Sequence, residues 1–353
     1  MSDKHLLIDI FPSPHPLWST ILEKPPEGVR YLIRRGLSGR AYLAFSSLIG
    51  DRKLIHFCNG IKLAPRRRWV ADMESVKVLF KDYRSMFNND ARNDAQNRIE
   101  TGECRYILPL TEAAKKTLTR FLRLKGFQVR VLYPTFYTNL KPKHEGPRDL
   151  ILFIGGSYFD KSFEAKGGRE VSIAWMNIHR DFKNYKFFML STPPPSLAEK
   201  LRGMGVEIGP MPREKLLTEL YPRARVILLP SMMDTVGYSV IEAMNFGIPP
   251  IVSDHFAMPE LVGDAGIILR TPTGLWLNDG TPNISFHQQL DNGPFSELSE
   301  RIADALHRLL SDDGEWVKLS ERALARMNNP PFHISYRNKV LHEVYEDASS
   351  ENA

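Results

Sequence analysis

The sequence is poor in residues that staple or anchor a chain. Its 353 residues include two cysteines, Cys58 and Cys104. They lie far apart and fit no metal or redox spacing, which argues against a disulfide framework, a zinc module or a dithiol centre. Inert thiols in a reducing cytoplasm are the expectation. No apolar run approaches the roughly 18 residues of a spanning helix. The opening MSDKHLLIDIF is too short, and too soon interrupted by Pro12, for a signal peptide. There is no compact Asp-x-Asp pair that would suggest a metal-bound diphosphate. No repeat occurs at solenoid periods, and no helix-turn-helix, zinc or aromatic-repeat signature points to nucleic acid.

What remains is an ordinary soluble composition, 42% hydrophobic and 25% charged, with the length of two domains. The net charge of +6 is unevenly placed. Residues 1–148 hold 27 Lys+Arg against 14 Asp+Glu, and residues 149–353 hold 20 against 27. A basic N-terminal half implies an anionic partner or simply solubility. Among its cations are Arg34, Arg35 and the run Arg66-Arg67-Arg68, read as a solvated loop. That cluster is a candidate for docking on an anionic membrane, although no strong amphipathic anchor is evident.

From Leu150 to Leu269, apolar strands alternate with helical segments, the pattern of a doubly wound parallel sheet. Its centre is LPSMMDTVGYSVIEAMNFGIPPIVS. The strand Val226 to Leu229 is ended by Pro230 and Ser231, a helix runs from about Tyr238 to Phe246, and Gly247 with Pro249-Pro250 stops it before strand Ile251 to Ser253. This is one βαβ unit, in which a helix N-terminus faces the carboxyl edge of the sheet, where α/β proteins bind ligands. Asp234 precedes Gly237, and Glu242 lies inside the helix, too far along to cap it. Either carboxylate could accept from ligand hydroxyls; equally, Asp234 starts a turn and Glu242 is a solvated helix residue.

The spacing of Asp234, Gly237, Glu242-Ala243, Gly247-Ile248-Pro249 and Pro259-Glu260-Leu261-Val262 resembles the donor signature of the retaining family 4 glycosyltransferases. The resemblance implies a GT-B fold, with two Rossmann-like doubly wound domains facing a cleft. It also implies transfer of a sugar from a nucleotide-diphosphate donor to an acceptor hydroxyl with retained configuration. It assigns Gly155, Gly156, Lys166, Asp234, Gly237, Tyr238, Ser239 and Glu242 to the donor. Lys166, Asp234 and, through its place near a strand end, His56 are set nearest the chemistry. The activity is expected to be hexosyltransferase-like, with no metal and no cofactor besides the nucleotide sugar. The expected setting is cytoplasmic, with any contact peripheral on the inner face of the membrane, and the expected acceptor is lipid-linked or anionic. Departures are Asp234 for the usual Glu, Val236 for Phe, no glycine-rich loop after the first strand, and Gly156 where an Arg is customary. Lys161 or Arg169 is a candidate substitute for that Arg. A noncatalytic nucleotide-sugar-binding protein and a nucleic-acid-binding protein remain alternatives.

The expected domains are 1–145, basic and shortened; 146–330, donor-binding; and a C-terminal helix, 331–353, packing back on the first and ending in a frayed tail. Strands are expected at Leu6 to Phe11, Gly28 to Ile33, Leu54 to Phe57, Trp69 to Ala71, Tyr106 to Leu110 and Val129 to Pro134. Residues 11–18 read as a loop, the segment after Thr111 as a helix closed by Gly126, and Arg270 to Phe295 as a long functional or oligomeric loop.

Overall fold

The computed structural model describes residues 5–13, 15–49, 53–62, 67–100, 103–124, 128–143, 146–156 and 161–350. Two compact units emerge. Unit 1 comprises Met1–Tyr137, Asp279–Thr281 and Pro330–Ala353, and unit 2 comprises Thr138–Asn278 and Pro282–Asn329. The division therefore falls at Tyr137, earlier than the expected residue 145, because the charged linker that follows hydrogen-bonds into unit 2: Lys143 N–H donates to the Thr218 carbonyl at 2.8 Å.

Unit 1 holds strands β1 (Leu6–Phe11), β2 (Val29–Ile33), β3 (Ile55–Cys58), β4 (Arg68–Met73), β5 (Glu103–Pro109) and β6 (Gln128–Val129). All pair in parallel, in the order β2-β1-β3-β4-β5-β6. The sixth strand pairs in register at Gln128 and Val129, opposite Tyr106 and Ile107, and the expected VRVLYP segment continues along β5: Arg130 N–H donates to the Ile107 carbonyl at 3.2 Å and Leu132 N–H to the Pro109 carbonyl at 2.9 Å. The segment 11–18 is not all loop, since a helix starts at Pro16 and runs to Glu23. The helix after Thr111 is capped as expected, with Thr111 accepting from Ala114 N–H, but it ends at Phe121; Gly126 lies outside the described residues. A helix that the sequence did not announce, Gly36–Leu48, follows β2.

Helix Ile334–Ser349 belongs to unit 1 and buries Arg337, Val340, Leu341, Val344, Tyr345 and Ala348. Its tail beyond Ser350 lies outside the described residues. The triple-arginine reading needs correction. Arg67 is wholly buried, its guanidinium paired with Asp9 at 3.1 Å and donating to the Lys53 carbonyl at 2.9 Å. Arg68 donates to the Ser349 carbonyl and pairs with Glu103, while Arg66 is outside the described residues. Arg34 is tied to Asp9 at 2.9 Å. These cations hold unit 1 together rather than forming a solvated loop.

Unit 2 holds β7 (Leu150–Gly156), β8 (Lys186–Ser191), β9 (Val206–Ile208), β10 (Ala224–Leu229), β11 (Pro250–Ser253) and β12 (Ile267–Leu269). They form a parallel sheet in the order β12-β11-β10-β7-β8-β9. The strand order reverses between β7 and β10, creating a topological switch point whose carboxyl side is the natural ligand crevice of such a sheet. Both strands are nearly continuous apolar runs because helices cover both faces. Phe153, Val226 and Leu228 pack with Val171 and Trp175 of helix Gly168–Ile178 and with Ile302, Leu306 and Leu309 of helix Ser296–Ser311. The segment 270–295 is more ordered than a loop. It contains the bridge Trp276–Pro282, a short helix Phe286–Gln289 and a 3₁₀ turn, with Leu275, Phe286 and Leu290 buried.

Candidate active site

Three loops of unit 2 leave the carboxyl edge of the sheet from β7, β10 and β11. After β10, Ser231 turns the chain: its hydroxyl accepts from the backbone N–H of Met233 at 3.3 Å and of Asp234 at 3.1 Å. Ser253, at the end of β11, donates to the Ser231 carbonyl and locks the two loops together. Gly237 then adopts a left-handed conformation, φ +57°, and its bare Cα lies where a Cβ would strike the Met258 side chain. Only glycine meets both demands, so helix Tyr238–Asn245 starts close against the sheet.

The loop after β7 brings Lys166 to the same place. Gly155 is packed so that a Cβ would come within 2.7 Å of both the Phe153 ring and the Ser191 hydroxyl, and Gly156 has φ +59°. Lys166 sits just before Gly167, the residue that precedes helix Gly168–Ile178. Gly167 lies against the Pro230 carbonyl, and Met232 N–H donates to the Ala165 carbonyl at 2.9 Å. The result is a direct ion pair between Lys166 Nζ and Asp234 Oδ1, with side-chain exposures of 11% and 17%. A lysine this buried needs a counter-charge, and Asp234 supplies it. The second oxygen, Asp234 Oδ2, is buried with no hydrogen-bond partner among the described residues.

The third loop contributes His255. It is buried, its Nε2 has no partner among the described residues, and Gly274 crowds its other face. Burial lowers its pKa to about 4, against the opposing pull of Asp234 and Asp254, so the imidazole is neutral at pH 7. The site thus presents an ammonium, a carboxylate oxygen and a neutral imidazole nitrogen, the latter two lacking partners. Buried polar atoms of this kind call for a ligand or water to satisfy them.

Glu242 lies within the first turns of helix Tyr238–Asn245 and is buried, not solvated. It pairs with Arg213, and Tyr221 O–H donates to its Oε2 at 3.0 Å. Burial raises its pKa, and Arg213 and Tyr221 only partly offset that. Tyr238 is buried and Ser239 half-buried on the same helix.

The structure therefore joins Lys166 to Asp234 and sets Gly237, Tyr238, Ser239 and Glu242 along one helix start, with Gly155 and Gly156 at the end of β7. His56 is the remaining expected residue. It lies in unit 1, fully buried, with Nδ1 2.6 Å from the Tyr345 hydroxyl and Nε2 3.0 Å from Asp72. Both ring nitrogens are engaged within unit 1. His56, Cys58 and Asp72 do gather potential metal-ligating atoms within 4.8 Å, but Asp72 is also taken by Trp18 and by Asn59 N–H.

The candidates for the missing Arg are occupied as well. Lys161 pairs with Asp291 at 2.6 Å and Arg169 with Glu164 at 3.0 Å. The segment 270–295 is tied to neighbouring elements of unit 2 at two points: Leu275 N–H donates to the Met232 carbonyl at 2.8 Å, and Phe295 N–H to Glu170 at 3.0 Å. His255, Arg213 and Tyr221 escaped the sequence reading. His255 had a usable signal, since it follows β11 by two residues at the carboxyl edge; Arg213 and Tyr221 had none.

Comparison with known proteins bears on the fold and on part of unit 2. Residues 148–276 match the family model described as Glycosyl transferases group 1. Among solved structures, WaaG, a glycosyltransferase involved in lipopolysaccharide biosynthesis, is similar with a TM-score of 0.61 at 14% identity, covering 97% of this chain and 98% of that one. HepE of Anabaena in complex with UDP is similar with a TM-score of 0.62 at 12% identity, covering 97% and 99%. The fold is that of the GT-B glycosyltransferases. The O-antigen chain mannosyltransferase B of Escherichia coli is 39% identical over 61 residues, 17% of this chain and 16% of that protein. Sucrose synthase of Denitrovibrio acetiphilus is 23% identical over 127 residues, 36% of this chain and 14% of that protein. The matched stretches thus span about a sixth or less of these two relatives.

Proposed function

We propose that the chain is a retaining, metal-independent glycosyltransferase that moves a hexosyl group from a nucleotide-diphosphate sugar to an acceptor hydroxyl. The observation that carries this reading is the buried Lys166–Asp234 pair at the switch point of unit 2. When the glycosidic bond to phosphate breaks, negative charge grows on the departing diphosphate. Lys166, beside the positive end of helix Gly168–Ile178, is placed to neutralise it, and the backbone start of helix Tyr238–Asn245 adds to the field. Asp234 is then free to accept from sugar hydroxyls through the oxygen that lacks a partner. Neutral His255 accepts or donates beside it, according to its tautomer. Glu242 exchanges its Arg213 partner for the two ribose hydroxyls. The nucleotide sugar is co-substrate and no further cofactor enters.

The acceptor is read as anionic or lipid-linked, and the setting as cytoplasmic with peripheral membrane contact, on the strength of the cationic N-terminal half. HepE was solved with UDP and with UDP-glucose, so uridine donors are the first to test. Thermal shift against a set of nucleotide sugars, followed by an assay of nucleotide release, decides the matter. Stabilisation together with release that Lys166→Ala abolishes is expected. Stabilisation without release under any acceptor condition would favour the noncatalytic alternative, which the occupied Lys161 and Arg169 support. No stabilisation by any donor would remove both readings.

A further inference from the structure

Helix Gly36–Leu48 is inside out. A surface helix normally buries its apolar stripe and shows its polar face. This one buries Gly39, Leu43, Ser46 and Ser47, and Ser46 receives a hydrogen bond from the buried Arg67. Toward solvent it turns Leu37 (83% exposed), Phe45 (61%) and Leu48 (77%), with Ala41 and Ala44 between them and Ile49 just beyond. Positions 37, 41, 44, 45 and 48 share one helical face. Ile33, at the end of the edge strand β2, is also exposed. Such a contiguous apolar face on a water-exposed helix marks an interaction surface.

We propose that this face docks the protein on an anionic lipid bilayer, with the helix lying in the interface. Charge selects the occupant. Residues 28–49 contain four arginines, Arg30, Arg34, Arg35 and Arg40, and no carboxylate. Arg34 is held by Asp9, while Arg30 is exposed on β2, and Arg35 and Arg40 are exposed at the start of the helix and along it. Two copies meeting through this face would set like charges against each other, which is costly. Acidic headgroups instead supply the opposite charge just where the side chains reach the headgroup layer. The inference deepens the reading of a peripheral membrane setting and names its contact surface; it does not depend on the transfer chemistry.

The test is co-sedimentation of the full chain with vesicles of phosphatidylcholine alone, or with an equal amount of phosphatidylglycerol, at low and high salt. Wild type binds the mixed vesicles at low salt and loses much of that binding on neutral vesicles or at high salt. Arg35→Gln with Arg40→Gln lowers partitioning by roughly thirtyfold, about fivefold per charge. Phe45→Ser with Leu48→Ser lowers it by more than about tenfold. Both pairs leave the unfolding temperature unchanged, because the side chains are exposed. Lys166→Ala binds as wild type. Absence of wild-type binding at low salt, or wild-type binding by both paired variants, overturns the proposal. So does a dimer in light scattering that Phe45→Ser with Leu48→Ser converts to monomer while vesicle binding is unaffected: the face then joins two copies. Loss of docking with nucleotide-sugar binding intact refutes the surface alone. Docking without nucleotide-sugar binding refutes the enzyme reading alone.

Discussion

Removing one member of the Lys166–Asp234 pair should cost more stability than removing both. The side chains are 11% and 17% exposed, so neither charge is well solvated. Lys166→Met leaves Asp234 with two oxygens lacking side-chain partners among the described residues. Breaking a fully buried pair costs about 3–5 kcal/mol; with the residual exposure here, about 2–3 kcal/mol is reasonable. Asp234→Asn leaves the ammonium uncompensated and should cost a similar amount. The double variant replaces the pair by groups of similar volume and should lie within about 1 kcal/mol of wild type, because both desolvation costs vanish together. The implied coupling of several kcal/mol far exceeds the few tenths expected of independent sites. It is measured as a double-mutant cycle by denaturant unfolding of the chain without donor, following the transition of unit 2. Catalysis should not recover with stability: all three variants lose turnover, with Lys166→Met falling by about 10²–10³ as the leaving charge goes uncompensated. Additive stability losses would falsify the buried-pair argument. Recovered turnover in the double variant would remove Lys166 and Asp234 from the reaction.

Two further outcomes follow from burial. Glu242 has its pKa raised by burial, so its charged form is disfavoured in the fold and its contribution worsens as pH rises from the ordinary carboxylate range through the raised value. Glu242→Gln should flatten stability across that window and weaken donor binding by calorimetry; unchanged donor affinity in the folded variant removes Glu242 from the ribose contact. His255 has the opposite sign. With its folded pKa at about 4, stability is full above pH 6.5 and falls as pH drops toward 4, by ~3 kcal/mol. In His255→Asn that part of the acid loss should disappear, and an identical acid profile in denaturant titrations at pH 7 and 4.5 would refute the burial.

The second half of the chain was legible because its signals are dense and local. A strand such as ARVILL, buried at every position, followed by a polar turn, a required glycine and a helix stop, admits few structures. The Asp234–Glu242 spacing then falls at the carboxyl edge of the sheet by construction. What the sequence concealed depends on distant partners. Arg67 looked like one of three solvated cations, but Asp9 on a neighbouring part of the sheet draws it wholly inside. His56 sits near the expected strand end, yet Tyr345, from the far end of the chain, seals it. The segment VRVLYP was legible from its alternation, and its backbone runs on along β5 through Arg130 and Leu132, beyond the two residues in ladder register.

Helix Gly36–Leu48 shows why such concealment bears on function. Its apolar residues do recur at helical spacing, but glycine and serine occupy the positions that turn inward, so no amphipathic helix of the usual kind is announced. The inward face can be polar because Asp9, Arg34, Tyr42 and Arg67 form a hydrogen-bonded network beneath it: Tyr42 O–H donates to Asp9 at 2.7 Å, and Arg67 donates to Ser46 and Asp9. The same network that removes Arg34 and Arg67 from the cationic surface therefore releases Leu37, Phe45 and Leu48 from core duty. Cations counted from sequence overstate the surface charge of unit 1, and apolar residues counted from sequence overstate its core. Both errors have one cause, the burial of Asp9 and its arginine partners, and both point to the same exposed helix as the place where the chain meets something other than water.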